Sequence, residues 1–152
     1  MKKNLPPIIW LAARIFLGAL YAYAGYSKLM EPVENFRGTL AQYEILPYAL
    51  VPYIAMTFPW IEFVGGVCLI LGYMPRLCAL ILGTMSLGFF TVLAVSHIIL
   101  KSGPASCGCF GAKGIHLSVP QMIVLDFVNA FLGFKLFQLK KHPFALEAFL
   151  KK

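Results

Sequence analysis

The chain has 152 residues, of which 60% are hydrophobic and only 12% are charged, and its mean hydropathy is +0.79. Soluble domains are closer to half apolar and a quarter charged, so this composition excludes an ordinary water-soluble domain and a disordered chain. Four cysteines are also too few for a small disulfide-stapled scaffold. An integral membrane protein remains, and at about 20 residues per span the length accommodates four spans with short loops.

The net charge of +7 is concentrated at the two ends of the chain. Lys2 and Lys3 precede the first apolar run, and four more lysines lie between residues 140 and 152, after the last run. Positive charge beside apolar runs is typical of the cytoplasmic flanks of membrane proteins, where it also attracts anionic lipid. We therefore expect a lipid bilayer around the chain and no nucleic-acid partner.

The apolar runs predict an all-α protein, an integral membrane four-helix bundle that forms a single domain over residues 1–152. The four transmembrane spans are predicted at about 8–28, 48–73, 77–100 and 119–139. In the first span, the small residues Gly18, Ala22 and Gly25 share one face, which lets a neighbouring helix approach closely.

A short amphipathic helix is predicted between the first and second spans, within residues 29–47. Its apolar residues Val33, Phe36, Leu40 and Tyr43 recur at steps of three and four, whereas charged residues occupy the other faces. This spacing is typical of a helix that lies in the membrane interface.

The Lys and Arg counts of the two sides predict the orientation. The side with both termini carries eight such residues: Lys2, Lys3, Arg76, Lys135, Lys140, Lys141, Lys151 and Lys152. The other side carries four: Lys28, Arg37, Lys101 and Lys113. Because cytoplasmic loops are enriched in such residues, we expect both termini in the cytoplasm and the loop of residues 101–118 outside. In a bacterium, this places the loop on the periplasmic side of the inner membrane, where disulfides persist.

Cys107-Gly108-Cys109, in the loop of residues 101–118, is the feature most specific for chemistry. A disulfide between two cysteines one residue apart closes a small, strained ring, and strain makes a disulfide easier to reduce. Lys101 and Lys113 flank the pair without a nearby carboxylate, which favours the reactive thiolate. The pattern indicates a redox-active pair, although two isolated thiols, or thiols bonded elsewhere, would fit the same spacing.

Several ionisable residues lie within the apolar spans, where an unpaired charge costs several kcal/mol. Glu62 is near the middle of the second span, and Arg14 in the first span is its natural partner. The two could form a structural ion pair, or a proton site beside a quinone that Asp126 and Asn129 extend. We assign quinone binding to Glu62, Arg14, Trp60 and Asp126.

Three further residues could take part in the redox chemistry. His97, near the outer end of the third span, is either a base for the loop thiols or an ordinary interfacial histidine. Cys68 and Cys78 lie five residues on either side of Tyr73, so a helical hairpin places them at matching depth near the cytoplasm. They could form a second dithiol or be ordinary small apolar residues of the core.

The loop sequence Cys107-Gly108-Cys109-Phe110-Gly111 resembles the MauE branch of the DoxX-like membrane family. The resemblance extends through Arg14, Gly18, Ala24-Gly25 and Ser27-Lys28 in the first span, through the Pro59–Gly66 segment around Glu62, and through Leu71-Gly72-Tyr73 before Arg76. It covers nearly the whole chain. The family implies a four-helix membrane protein associated with thiol redox, thioredoxin-like partners and protein maturation.

We therefore expect an inner-membrane thiol–disulfide oxidoreductase that exchanges electrons between a periplasmic thioredoxin-fold protein and a quinone through Cys107 and Cys109. Electrons could instead pass through Cys68 and Cys78. Two other classes fit the sequence. A Cys-x-Cys pair suits a protein that binds or transports soft metals such as mercury or copper. The loop could also be a docking element of a non-catalytic assembly subunit.

Overall fold

The computed structural model describes residues 7–43, 46–100 and 118–139. The helices of this part are α1 (Pro7–Leu29), α2 (Val33–Ala41), α3 (Val51–Leu71), α4 (Pro75–Ala94) and α5 (Val119–Gln138), and α4 continues into a π-helical segment (Val95–Leu100). Four helices are long and apolar enough to cross a membrane, namely α1, α3, α4 with its extension, and α5. The prediction of an all-α protein with four membrane-spanning helices is confirmed.

The turn between α3 and α4 has the predicted length of three residues but lies two residues earlier than the sequence predicted, since α3 ends at Leu71 and α4 begins at Pro75. Gly72 follows α3 with a φ of 73°, a left-handed conformation that favours glycine. Pro75 is the first residue of α4. A backbone N–H at this position has no partner within the helix, so proline, which lacks this N–H, costs no hydrogen bond here. At the start of α5, the Ser118 backbone N–H donates to Gln121 Oε1 at 3.1 Å, which is the reach-back bond of a capping box.

The amphipathic helix between the first two spans is present as α2. Its apolar residues Phe36 and Leu40 are buried against Val51 and Ala55 of α3. The opposite face, which carries Glu34, is exposed. Its position in a membrane interface stays a prediction.

Helices α1 and α3 form a closely packed antiparallel pair, and small residues are the reason. A Cβ atom added to Gly66 would lie 2.5 Å from the backbone N of Ala22 and 2.7 Å from the carbonyl O of Gly18. One added to Gly25 would lie 2.5 Å from the backbone N of Phe63. The small face predicted for the first span is therefore its contact with α3.

Helices α4 and α5 form the second closely packed pair. A Cβ atom added to Gly133 would lie 2.9 Å from the carbonyl O of Ala79. Tyr21 of α1 joins the two pairs, because its hydroxyl donates to the carbonyl O of Leu82 at 3.2 Å and is hydrogen-bonded to Ser86. Leucines from all four spans, including Leu17 and Leu136, fill the space around this link.

Candidate functional site

A buried ion pair between α1 and α3 is the most polar feature inside the bundle. Lys28 Nζ lies 2.6 Å from Glu62 Oε2, and the two residues are only 4% and 3% exposed. The ammonium group also lies 4.9 Å from the ring centroid of Phe36 and 5.9 Å from that of Phe89. Cation–π attraction to these two rings adds to the attraction between the charges, so three side chains stabilise the Lys28 ammonium group.

The expected pairing of Glu62 with Arg14 is wrong. Glu62 pairs with Lys28 because of the antiparallel register of α1 and α3, in which Gly66 packs beside Ala22 and Gly18. This register sets Glu62 level with Ala24, about 15 Å along α1 from Arg14 at 1.5 Å per residue. Arg14 is itself buried, nearer the other end of the bundle.

Polar residues from three helices meet at a small cavity beside the ion pair. Glu62 of α3, Tyr21 of α1, and Asp126 and Asn129 of α5 line a space of about 20 Å³. This volume suffices for about one water molecule. The Asn129 side chain is buried, and its Oδ1 has no hydrogen-bond partner in the described part of the chain. Glu62, Asp126 and Asn129 therefore line the same cavity, whereas a path for protons along them stays a prediction.

A second, larger cavity lies between α3, α4 and the segment after α2. Its volume is about 310 Å³ and its lining is almost entirely apolar; Tyr43, Phe58, Gly88, Phe89 and Leu93 are among the residues that form it. The rings of Phe58 and Phe89 meet edge to face at 5.8 Å within this lining. Phe89 also lines the small polar cavity, so this residue is common to both spaces.

The four residues assigned to a quinone do not surround one space that could hold it. Glu62 and Asp126 share a cavity far smaller than a quinone ring, Arg14 lies nearer the other end of the bundle, and Trp60 is 59% exposed on the outer face of α3. The apolar cavity, in contrast, has the volume and lining of a small-molecule site.

Cys68 and Cys78 lie at the two ends of the α3–α4 turn, five residues on either side of Tyr73. Both are free thiols and half-buried. The Cys78 thiol donates to the carbonyl O of Tyr73 at 3.6 Å, and the Tyr73 backbone N–H donates to the carbonyl O of Cys68 at 3.0 Å.

The loop cysteines Cys107 and Cys109, together with Lys113, lie outside the described residues, and their role stays a prediction. His97 is exposed in the π-helical segment, close in sequence to this loop. Within the described ranges, no group of three or more His, Cys, Asp or Glu side chains could hold a metal ion.

Sequence reasoning missed Lys28 as a member of the site. It was counted among the charges of the outer surface, whereas the structure buries it against Glu62. A signal was available, because Lys28 ends the first span and the second span contains a single carboxylate, that of Glu62. A lysine in the last turn of a span can reach back along the helix, and the predicted close packing of Gly18 and Gly25 favours such a contact.

Four membrane-spanning helices in two glycine-packed pairs, with a buried ion pair between the helices of one pair, define the chain as a multi-pass membrane protein. Residues 6–137 match the model of the family described as Methylamine utilisation protein MauE. The chain belongs to this family, as the resemblance of its loop and spans predicted.

A curated relative from Paracoccus denitrificans, named Methylamine utilization protein MauE, is 30% identical over 120 residues. The alignment covers 79% of this chain but only 62% of the relative, so the match spans less than two thirds of the relative's length. No solved structure matches the chain.

Proposed function

We propose that the chain is a thiol–disulfide oxidoreductase of the cytoplasmic membrane that acts through Cys107 and Cys109 on a thioredoxin-fold protein outside the cytoplasm. The observation that carries this proposal is the Cys-Gly-Cys sequence between the third and fourth spans of a chain that belongs to the MauE family. The names of the family and of the Paracoccus relative lead us to infer that this activity serves methylamine utilisation.

The exchange proceeds through a mixed disulfide. In the oxidising direction, a thiolate of the partner attacks the Cys107–Cys109 disulfide, and one loop cysteine leaves as a thiolate. The partner's second thiol loses its proton and displaces the loop, so the partner becomes a disulfide and the loop a dithiol. Two electrons have then moved to the loop; the reducing direction is the same sequence reversed. Lys101 and Lys113 favour the thiolate forms because they supply positive charge beside the loop.

The apolar cavity supports a quinone as the redox partner on the membrane side. It is lined by Val92 and Leu93, toward the end of α4 that leads into the loop of residues 101–118. Its occupant enters from the lipid phase because the lining offers almost no polar groups. A quinone supplies a two-electron, two-proton exchange with the loop dithiol. Phe58 and Phe89, whose rings meet edge to face in the lining of this cavity, would contact the quinone ring.

The test is thiol exchange with a reduced or oxidised thioredoxin-fold protein, measured with the purified chain in nanodiscs. We expect Cys107→Ser and Cys109→Ser each to abolish turnover while leaving the thermal unfolding temperature unchanged. In addition, a single-cysteine variant of the loop should trap the partner as a mixed disulfide. Full turnover by either variant would overturn the proposal.

The same preparations distinguish the other classes. A soft-metal protein would bind Hg²⁺ or Cu⁺ stoichiometrically through the loop thiols and form no mixed disulfide with the partner. An assembly subunit would retain its biological function after both loop cysteines are replaced. Each of these results contradicts the proposed function.

A further inference from the structure

A pair of thiols at the opposite end of the bundle from the Cys107–Cys109 loop is unused by the proposed function. Cys68 lies in the last turn of α3, and Cys78 lies in the first turn of α4. Tyr73 is hydrogen-bonded to both cysteines. Its backbone N–H donates to the carbonyl O of Cys68 at 3.0 Å, and its carbonyl O accepts from Cys78 Sγ at 3.6 Å.

The turn between the two cysteines is defined by its backbone conformation and by a contact of Arg76 with α5. Gly72 and Met74 both have positive φ values, 73° and 45°, so the chain reverses within three residues. Just beyond the turn, Arg76 Nε donates to the carbonyl O of Phe137 in α5 at 3.3 Å, and the guanidinium lies 5.5 Å from the ring centroid of Phe137. The turn thus has a defined backbone conformation, and the start of α4 is held against α5.

The thiols are also accessible, because both cysteines are half-buried rather than enclosed. One side of Cys78 packs against the cluster around Leu82 and Leu136. Its thiol points toward the turn, where it donates to the carbonyl O of Tyr73. A reagent in the aqueous phase beside the turn can reach such a pair, whereas two cysteines in the centre of the bundle would be closed to it.

The described part of α4 separates this pair from the start of the Cys107–Cys109 loop. From Cys78, α4 and its π-helical extension run to Leu100, about 30 Å away at the rise of a helix. Since thiol–disulfide exchange requires contact between sulfur atoms, oxidation of this pair needs an oxidant that reaches the turn itself.

We propose that Cys68 and Cys78 form a second redox-active dithiol, which closes to a disulfide across the α3–α4 turn. The oxidant is a small disulfide in the aqueous phase beside the turn. One thiolate attacks this disulfide and releases one small thiol. The second cysteine, after losing its proton, displaces the other small thiol and completes the S–S bond. The two cysteines are oxidised, and one small disulfide is reduced to two thiols.

The consequence is a covalent tie between the two halves of the bundle. The close packing is within α1–α3 and within α4–α5, and the contact of α3 with α4 is looser. The apolar cavity lies across this looser contact, between Ile54 and Phe58 on α3 and Gly88 and Phe89 on α4. A disulfide at the turn fixes the ends of these two helices, and reduction releases them.

The test uses the full-length Cys107→Ser/Cys109→Ser variant in nanodiscs, which retains only the two cysteines at the turn. We expect glutathione disulfide to remove both maleimide-reactive thiols, with an intact mass lowered by two hydrogens and restored by a reductant. In the matched control, which also carries Cys78→Ser, the remaining Cys68 should gain one glutathione instead.

Three outcomes overturn this inference: two thiols that stay reduced, two mixed disulfides with glutathione, or a disulfide between chains. Because the loop cysteines are absent from the protein tested, none of these results depends on the proposed function. Conversely, loss of activity in the loop variants says nothing about the thiols at the turn.

Discussion

At the scale of single residues, Glu62 and Lys28 determine each other's environment. Each would be an uncompensated charge in an apolar interior without the other, and removing one partner of a buried pair costs about 3–5 kcal/mol. We expect Glu62→Gln to lower the unfolding temperature in detergent strongly, because the Lys28 ammonium then remains between two phenylalanine rings without a counter-ion.

The double variant Lys28→Met/Glu62→Gln checks this interpretation. Because it removes both charges, it should regain most of the stability that Glu62→Gln loses, and the two effects will not add. Glu34→Gln is the matched control, since Glu34 is exposed on α2, and it should change the unfolding temperature little. Additive losses from the two single replacements would show that the pair does not act as a unit.

At the scale of helices, glycines decide how closely α1 and α3 approach. Gly66→Ala adds a methyl group 2.5 Å from the Ala22 backbone N, so the helices must separate, and overpacking of this kind costs about 1–3 kcal/mol. Gly88→Ala is the matched control in α4, because a Cβ atom there meets nothing within 4 Å.

Thermal unfolding in detergent separates the two variants. Gly66→Ala should unfold at a lower temperature than the unmodified chain. Gly88→Ala should unfold at the same or a higher temperature, because alanine favours a helix by about 1 kcal/mol over glycine. Equal destabilisation by the two replacements would mean that close packing of α1 and α3 is not what Gly66 provides.

The apolar cavity gives a prediction at the same scale. Gly88→Leu fills part of the cavity from α4 without a clash at its Cβ atom, so it should weaken the binding of a short-chain quinone analogue at least tenfold. Gly38→Leu on α2, where the Cβ atom also meets nothing within 4 Å, is the control. Equilibrium binding by Gly88→Leu as tight as that of the unmodified chain would exclude this cavity as the quinone site.

At the scale of the whole molecule, the lysine and arginine count predicts the orientation of the chain in the membrane. Burial of Lys28 removes one charge from the outer side, so the excess of positive charge on the side of the termini becomes larger.

Maleimide labelling of cysteines tests this orientation. In a Cys68→Ser/Cys78→Ser background, a membrane-impermeant maleimide added to intact cells after reduction should label Cys107 and Cys109. A cysteine introduced by Lys2→Cys into a chain without other cysteines should be labelled only after the membrane is opened. The reverse pattern would place the loop in the cytoplasm.

Much of the fold could be predicted because it depends on local sequence. The four spans follow from apolar runs, α2 follows from the spacing of Phe36 and Leu40, and the close α1–α3 contact follows from Gly18 and Gly25. The matching depth of Cys68 and Cys78 is equally local, because a tight turn between two helices fixes it. None of these features requires knowledge of which helix is the neighbour.

The pairing of charges could not be predicted in this way. Sequence reasoning chose Arg14 for Glu62 because both lie in apolar spans, but the choice depends on how far α1 slides along α3. A shift of about 15 Å, or ten residues, would be needed to bring Arg14 level with Glu62. Gly66, packed against Gly18 and Ala22, sets this shift. The cavities were unforeseen for the same reason, since each is formed by side chains from three or more segments.

By itself, the sequence determined that the chain crosses a membrane, how many helices do so, and that two cysteines stand one residue apart between the last two. Composition and apolar run length decide these properties, because a bilayer accepts long helices with few charges. Only the tertiary structure decided that Lys28 neutralises Glu62, that Asp126 and Asn129 share a cavity with Glu62, and that Phe89 also lines a larger apolar space. These contacts depend on the register of packed helices, which is a property of pairs of surfaces and not of any single segment.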